Sequence, residues 1–265
     1  MTKKICIICL LISFLLLLVA CGNKNASLGN KDSTASNEMN INSDAAFATS
    51  LQTILDSKAT LYNKLQTNMP NEMAFAAMDM LSVSLMDLNL AFISSCGTDG
   101  AKEGMEIAFG MFGITDVNYN ENGTNYQITA KTSEGVDVQY DVQYDKATDS
   151  MSVRFSEEAE EVYFDAVRIN GGYGFIYFAS TNDGNANYDI VKGIIYDDGD
   201  GIFATGNIQS KAESVYKNAS VFTNEFVIDR MNNYYEVKDG ICNVKYDGKI
   251  YEYEAGAGKP EGEDE

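Results

Sequence analysis

The stretch from 136 to 145, VDVQYDVQYD, alternates apolar and polar residues without an error. A period of two places successive side chains on opposite faces of a β-strand, so the pattern predicts a strand with one buried face. Met151, Val153 and Phe155 alternate with polar residues in the same way. This part of the chain is therefore restricted to half-buried strands of a sheet.

Turn signals recur along the same half of the chain. They are NENG at 120, TSEG at 132, NGG at 170, NDGN at 182, DDGDG at 197, and DG at 239 and 247. Strands joined by such short turns must pair as antiparallel neighbours. We predict a meander of about ten strands over residues 114–256, and a sheet of that many strands is expected to curl.

The preceding region has helical periodicity. After Ser43, a candidate N-cap, apolar residues recur at helical spacing at Phe47, Leu51, Ile54, Leu55, Tyr62 and Leu65. A second helix is predicted from Pro70 to about Ser95, and a third from about Gly100 to Phe112. The second is apolar on nearly every side, which is typical of a buried helix.

These patterns predict an α+β fold. Two to three N-terminal helices, in residues 43–113, pack on a long, curled antiparallel β-meander in one domain. The segment 210–233 is ambiguous between a strand and a short helix. The strand GYGFIYFAS at 172–180 is apolar on both faces, so both need cover. The sheet's own curvature, the segment 210–233 or a ligand are the alternatives for that cover.

The N-terminus has the three-part layout of an export signal: Lys3 and Lys4, an apolar run from Ile5 to Val19, then Ala20 and Cys21. The run is shorter than the roughly 20 residues of a permanent membrane span. Leu18-Val19-Ala20-Cys21 resembles the lipobox of bacterial lipoproteins. The alternatives are an ordinary signal peptide or an uncleaved anchor.

This resemblance implies that residues 1–20 are a lipoprotein signal peptide and that the mature chain begins at lipid-modified Cys21. Two acyl chains give stable membrane attachment, whereas a single chain gives only marginal binding. The expected location is the extracytoplasmic face of the cell membrane, with the lipid on Cys21 as the membrane contact. Residues 21–42, rich in Asn, Ser, Gly and Lys, are predicted to be a flexible tether. Residues 257–265 form an acidic tail.

The chain is strongly acidic. The formal charge is −20, from 19 basic and 39 acidic residues. Loss of Lys3 and Lys4 with the signal peptide leaves 17 basic residues, so the mature charge is 17 − 39 = −22. Such a surface repels nucleic acid, and we exclude nucleic-acid binding.

The chain has no histidine, which removes Ser-His-Asp and Cys-His catalysis and histidine-containing zinc sites. Ser214 to Lys217 spells S-x-x-K, which superficially resembles the nucleophile motif of penicillin-binding proteins. The later motifs of that family are missing, so we interpret it as a chance match. We expect no catalytic residues.

Oxygen-bearing residues alternate in the loop NDGNANYD, at Asp183, Asn185, Asn187 and Asp189. Donors spaced in this way are a weak calcium candidate. Tyr188 replaces the turn glycine of an EF-hand, so a plain hairpin loop is the favoured interpretation. No other cofactor is expected.

Methionine and cysteine supply two further candidate sites. Met73, Met78, Met80 and Met86 of the second helix are candidates for contact with an apolar ligand, although core filling is the favoured interpretation. Cys96 and Cys242 remain in the mature chain besides Cys21. They are a candidate disulfide or, by the favoured interpretation, two buried thiols.

The sequence therefore predicts a membrane-anchored lipoprotein whose folded part is a non-catalytic binding or interaction domain. Its ligand or partner is an unknown envelope protein or small ligand. The first alternative is a carrier that holds a lipid or other apolar ligand between the curled sheet and the Met-rich helix. The second is a histidine-free hydrolase that uses carboxylates.

Overall fold

The computed structural model describes residues 46–157, 160–180 and 187–257. These residues belong to one of two units of the chain, 39–265. The signal peptide, Cys21 with the tether, and residues 258–265 of the tail lie outside the described residues.

Three helices precede the sheet: α1 (Phe47–Thr67), α2 (Ala74–Ala91) and α3 (Ala101–Gly110). Ala46 is the N-cap of α1, and the predicted cap, Ser43, lies outside the described residues. Pro70 is extended and precedes a short 3-10 turn, Asn71–Met73. It therefore lies just ahead of the helical segment instead of inside its first turn.

Eleven strands form one antiparallel sheet in which each strand pairs with its neighbours in sequence. They are β1 (Thr115–Asn122), β2 (Asn125–Lys131), β3 (Asp137–Asp145), β4 (Ser150–Glu157), β5 (Glu160–Ile169), β6 (Gly172–Ser180), β7 (Tyr188–Tyr196), β8 (Gly201–Ile208), β9 (Asn233–Lys238), β10 (Ile241–Tyr246) and β11 (Lys249–Glu254). The predicted α+β class and antiparallel meander are confirmed.

The alternation in β3 gives the sheet its buried face. Val138, Tyr140, Val142 and Tyr144 are buried, and the residues between them are exposed or half-buried. Val142 pairs with Val153 of β4, so the apolar sets of neighbouring strands share one face. This face and the buried sides of α1 and α2 form a single apolar core.

Contacts along α1 reach both ends of the sheet. The Phe47 ring lies 5.7 Å from that of Tyr126 on β2, between centroids. The Tyr253 hydroxyl of β11 donates to the Leu65 carbonyl at 2.7 Å. The 21-residue helix α1 is therefore in contact with strands near each edge.

The segment between β8 and β9 contains no strand. It forms a 3-10 turn, Ala219–Val221, and a short helix, α4 (Asn224–Ile228). Thr223 caps α4 by accepting from the Phe226 backbone N–H at 3.1 Å. The ambiguity in this region is therefore resolved as short helical turns and loop.

This segment covers the second face of β6. Val215 and Phe222 pack with Ile176 and Phe178 in a separate apolar cluster. A Cβ at Gly174 would come within 2.2 Å of the Phe222 ring, so only glycine fits there. The segment 210–233, one of the three predicted alternatives, therefore supplies cover for this strand.

Candidate functional site

One face of α2 is part of the core. Ala76, Met80, Val83 and Leu90 are buried, and they recur at spacings of four, three and seven, which places them on one side of a helix. Met73, in the turn before the helix, is also fully buried. This face holds α2 against the sheet.

The two carboxylates of α2 also bind inside the fold. Asp79 accepts hydrogen bonds from the Asn233 amide at 2.8 Å and the Tyr235 hydroxyl at 3.0 Å, both on β9. Asp87 forms an ion pair with Lys58 of α1. The acidic groups of α2 are therefore used to attach the helix to its neighbours.

The ion pair lies in apolar surroundings. The Lys58 side chain is 1% exposed, and its Nζ lies 4.8 Å from the centroid of the Phe175 ring. Burial raises the pKa of Asp87, and the Lys58 charge partly offsets that rise. Burial also raises the pKa of Tyr62 well above its usual value, and the Asp87 charge adds to the effect. Within the described ranges, the Tyr62 hydroxyl is the one buried side-chain polar atom without a hydrogen-bond partner.

The opposite face of α2 is apolar and exposed. Phe75 is 75% exposed and Met78, three residues on, is 58% exposed. Ser82, one turn further, is also exposed. The expectation of a buried helix is therefore wrong for this face: only 29% of the most apolar 18-residue window of Asn71–Ala91 is buried. The physical reason is that the sheet and α1 contact α2 on one side only.

The segment Asn71–Ala91 is long and apolar enough to cross a membrane, by length and composition alone. In the structure, the Tyr177 hydroxyl of β6 donates to the Met86 carbonyl at 3.2 Å. Together with Asp79 and Asp87, this contact gives the helix polar attachments to the domain at three points along its length.

The four candidate methionines do not share one surface. Met73 and Met80 are fully buried, Met86 is half-buried against the same core, and Met78 is exposed. The favoured interpretation, core filling, therefore holds for Met73 and Met80. Met78 is the one that faces solvent with Phe75.

The calcium candidate is described only in part. Asp183 and Asn185 lie outside the described residues. Asp189 is the second residue of β7 and accepts a hydrogen bond from the Asn207 amide on β8. Asn187 directly precedes that strand. Within the residues that the structure describes, no group of three Cys, Asp or Glu side chains has the geometry to hold a metal ion.

Ser214 and Lys217 do not act on each other. The Ser214 hydroxyl donates to the buried Asp165 carboxylate, which also accepts from Arg154 at 2.8 Å. Lys217 pairs with Asp145. The hydroxyl and the amine therefore bind separate carboxylates, as expected for a chance S-x-x-K match.

A second buried carboxylate, Asp149, joins α1 to the sheet. It accepts hydrogen bonds from the Ser50 hydroxyl at 2.6 Å, the Tyr144 hydroxyl at 2.9 Å and the Tyr173 hydroxyl at 2.7 Å. Hydrogen bonds to a charged group contribute about 1.5–3 kcal/mol each. Asp149 therefore fixes the N-terminal part of α1 over β3 and β6.

Cys96 and Cys242 are separate, buried thiols in the structure, and no disulfide joins them. Cys96 follows α2, and Gly97 beside it donates its backbone N–H to the Tyr119 hydroxyl of β1 at 3.0 Å. Cys242 lies on β10, with its sulfur 3.7 Å from the Lys64 carbonyl. The two thiols are thus associated with strands from different ends of the sheet order.

Met78 was among the candidate methionines, but Phe75 and the exposed face that it shares with Met78 were not identified from the sequence. A signal was available, because Ala76, Met80, Val83, Asp87 and Leu90 recur at alternating spacings of four and three and lie on one face. Phe75 and Met78 fall outside that set. Because residues of α2 are apolar on nearly every side, composition alone did not distinguish its buried face from its exposed face.

The exposed face of α2, defined by Phe75 and Met78, is the candidate functional site. Isolated apolar residues on a surface are ordinary, whereas large side chains clustered on one helix face indicate a binding site. Comparisons of this chain with protein-family models, with curated proteins and with solved structures found no match.

Proposed function

We propose that this chain is a lipid-anchored, extracytoplasmic bacterial lipoprotein whose folded part is a non-catalytic binding domain. The exposed face of α2 is its binding surface for an apolar ligand or for the apolar surface of an envelope partner. One observation carries the binding surface: α2 turns both carboxylates inward and leaves Phe75 and Met78 in solvent.

Energetics support a binding role for this face. Full burial of a Phe or Met side chain contributes about 1.5–3 kcal/mol relative to exposure. Phe75 and Met78 forgo most of that gain in the isolated domain. A partner that covers both side chains would recover it.

A curled sheet is part of the same proposal. Phe47 and Leu65, the contacts of α1 with β2 and β11, are about 27 Å apart along a helix. In a flat sheet, the nine strand spacings from β2 to β11 would span about 43 Å. Curling the sheet around α1 reconciles the two lengths and leaves α2 with one open side.

The non-catalytic part of the proposal rests on the buried carboxylates. Asp149 and Asp165 each accept three hydrogen bonds from protein groups. A carboxylate held in this way is committed to structure, because three of its roughly four acceptor positions are occupied. A carboxylate hydrolase would instead need two such groups directed at a substrate.

Attachment through Cys21 is tested by metabolic labelling with a palmitate analogue. The wild-type chain is expected to carry the label and to fractionate with membranes. The Cys21→Ser variant is expected to lose both properties. An unlabelled wild-type chain, or a variant that still partitions fully into membranes, would overturn the proposed anchoring.

The binding surface is tested by placing the photo-crosslinker benzoylphenylalanine at position 75 of the full chain in cells. The matched control is the same substitution at Ile250, which is 74% exposed on β11. We expect one discrete adduct at position 75 that is absent at position 250. Loss of this adduct when Met78→Ser is added would support a binding surface shared by positions 75 and 78. Equal labelling at positions 75 and 250 would refute the proposed surface.

A lipid carrier is the second candidate, and the mixed role of the methionines favours it. Met73 and Met80 fill the core beneath α2, and Met78 and Phe75 are exposed above it, so flexible side chains lie on both sides of one helix. Native mass spectrometry of the purified chain distinguishes a lipid carrier from a binding domain. A co-purifying lipid beyond the mass of the Cys21 modification favours the carrier, and a ligand-free mass favours the binding domain.

A further inference from the structure

A second exposed apolar patch lies on α3. Ile107 is 70% exposed and Met111, one turn further, is 57% exposed. The other side of α3 is held in the core, because the Phe109 ring stacks on Phe92 at a centroid distance of 4.9 Å. The patch of Ile107 and Met111 is therefore presented to solvent by a firmly packed helix.

A series of contacts links this patch to the start of the described chain. The described chain begins at Ala46, and Phe47 contacts Tyr126 of β2, whose ring stacks on Tyr119 of β1 at 6.3 Å between centroids. The Tyr119 hydroxyl accepts from Gly97, four residues before α3 begins. Ile107 lies about 9 Å along α3 from Ala101, the first residue of that helix.

The length of the preceding chain brings the patch within reach of the lipid anchor. Cys21 and Ala46 are 25 residues apart in sequence. A flexible coil of that length has a root-mean-square span of about 25–30 Å. Attachment by such a linker corresponds to an effective concentration in the millimolar range. A contact too weak to form from free solution would be populated under these conditions.

We propose that Ile107 and Met111 dock on the surface of the bilayer that holds the lipid on Cys21, with both side chains at the boundary of headgroups and acyl chains. This inference rests on the anchoring part of the proposed function. The contact is apolar in character, because Lys102 and Glu106 beside the patch form an ion pair and the mature chain has a net charge of −22 (17 − 39), which opposes attraction to anionic lipid.

Docking through α3 keeps the face of α2 accessible. Phe92, just after α2, stacks on Phe109 of α3, whereas Phe75 lies 17 residues earlier, about 26 Å away along a helix. The membrane contact and the binding surface are therefore at opposite ends of α2. The anchor and the patch together would orient the binding surface away from the lipid.

The test uses the mature lipidated chain in vesicles of zwitterionic phosphatidylcholine. Ile107→Cys and, as a matched control, Ile250→Cys each carry an environment-sensitive fluorophore; the native Cys96 and Cys242 are buried. We expect spin-labelled lipid to quench the probe at position 107 several-fold more than the probe at position 250. Met111→Asp should reduce the quenching at position 107 toward the control.

Flotation of the vesicles distinguishes a failure of docking through α3 from a failure of anchoring through Cys21. A chain that floats with the vesicles but is quenched equally at both positions overturns docking and leaves the anchor intact. A chain that does not float overturns the anchor, and membrane docking with it.

Discussion

Lys58 of α1 and Asp87 of α2 form an ion pair in which the lysine side chain is almost completely buried. Removal of one partner leaves a buried charge uncompensated, which typically costs about 3–5 kcal/mol. We therefore expect Lys58→Met to lower the free energy of unfolding by about that amount at pH 7. Urea denaturation monitored by circular dichroism measures the change.

The double variant Lys58→Met/Asp87→Leu is the control. Replacing both members of a buried pair by apolar residues is often neutral or stabilising by about 1–4 kcal/mol. We expect the double variant to recover most or all of the wild-type stability. If it were as unstable as the single variant, the loss would come from packing and not from the charge.

The same pair predicts a pH dependence. Burial raises the pKa of Asp87 above that of the unfolded chain, so the native state binds the proton more tightly. The contribution of this group to stability is fully present below the unfolded pKa, about 3.9, and is lost as pH rises through the folded pKa. Lys58→Met removes the offsetting charge and enlarges this effect.

We therefore expect the difference in stability between wild type and Lys58→Met to shrink as the pH falls from 7 toward 4. Urea denaturation at several pH values checks this. A difference that stays constant over the range would contradict a raised Asp87 pKa.

The two faces of α2 should respond differently to truncation. Met80 is fully buried, so Met80→Ala should cost about 2–5 kcal/mol. Met78 is 58% exposed, and Met78→Ala should change stability by no more than about 0.5 kcal/mol. Thermal and urea denaturation of the two variants compare them directly. Equal losses would mean that the outer face is also packed.

Gly174 should not tolerate a side chain. The Cβ of Gly174→Ala would lie 2.2 Å from the Phe222 ring, and such overpacking costs about 1–3 kcal/mol. Truncation at Phe222→Ala should relieve the clash, so the two substitutions should be less than additive. Gly110→Ala, where a Cβ meets nothing within 4 Å, is the control and should not destabilise the chain. Additive losses at 174 and 222 would contradict the contact.

The cysteines should be unreactive until the domain unfolds. Burial raises the pKa of Cys242 to about 11 and raises the pKa of Cys96 as well, and the thiolate is the reactive form. At pH 8, we expect no reaction of the native, mature lipidated chain with an aromatic disulfide reagent. In concentrated urea we expect two reactive thiols per chain, those of Cys96 and Cys242. No thiols in urea would indicate a disulfide instead.

Local pattern was sufficient for much of the fold. The alternation through β3 and the short turns between strands predicted an antiparallel meander. Alternate residues of a strand point to opposite faces, so the apolar residues of each strand identify its buried face. The structure confirms the class and contains eleven strands. Helix α1 was equally clear, since its polar residues separate its apolar ones.

Local pattern did not decide the secondary structure of the segment 210–233 or which side of α2 is exposed. Phe222 and Phe226 belong to short turns whose burial depends on the second face of β6, far away in sequence. The stability of such turns comes from tertiary packing and not from local periodicity.

The sequence by itself determined the antiparallel pairing of strands joined by short turns, the acidic character of the chain and the absence of histidine chemistry, because these depend on residue type and on short spacings. It also carries the lipobox resemblance, on which the proposed anchoring rests. Only the tertiary structure decided that Lys58 neutralises Asp87 and that Phe75 and Met78 face solvent. A helix that is apolar all round does not specify its exposed side, and the neighbours packed against α2 decide it.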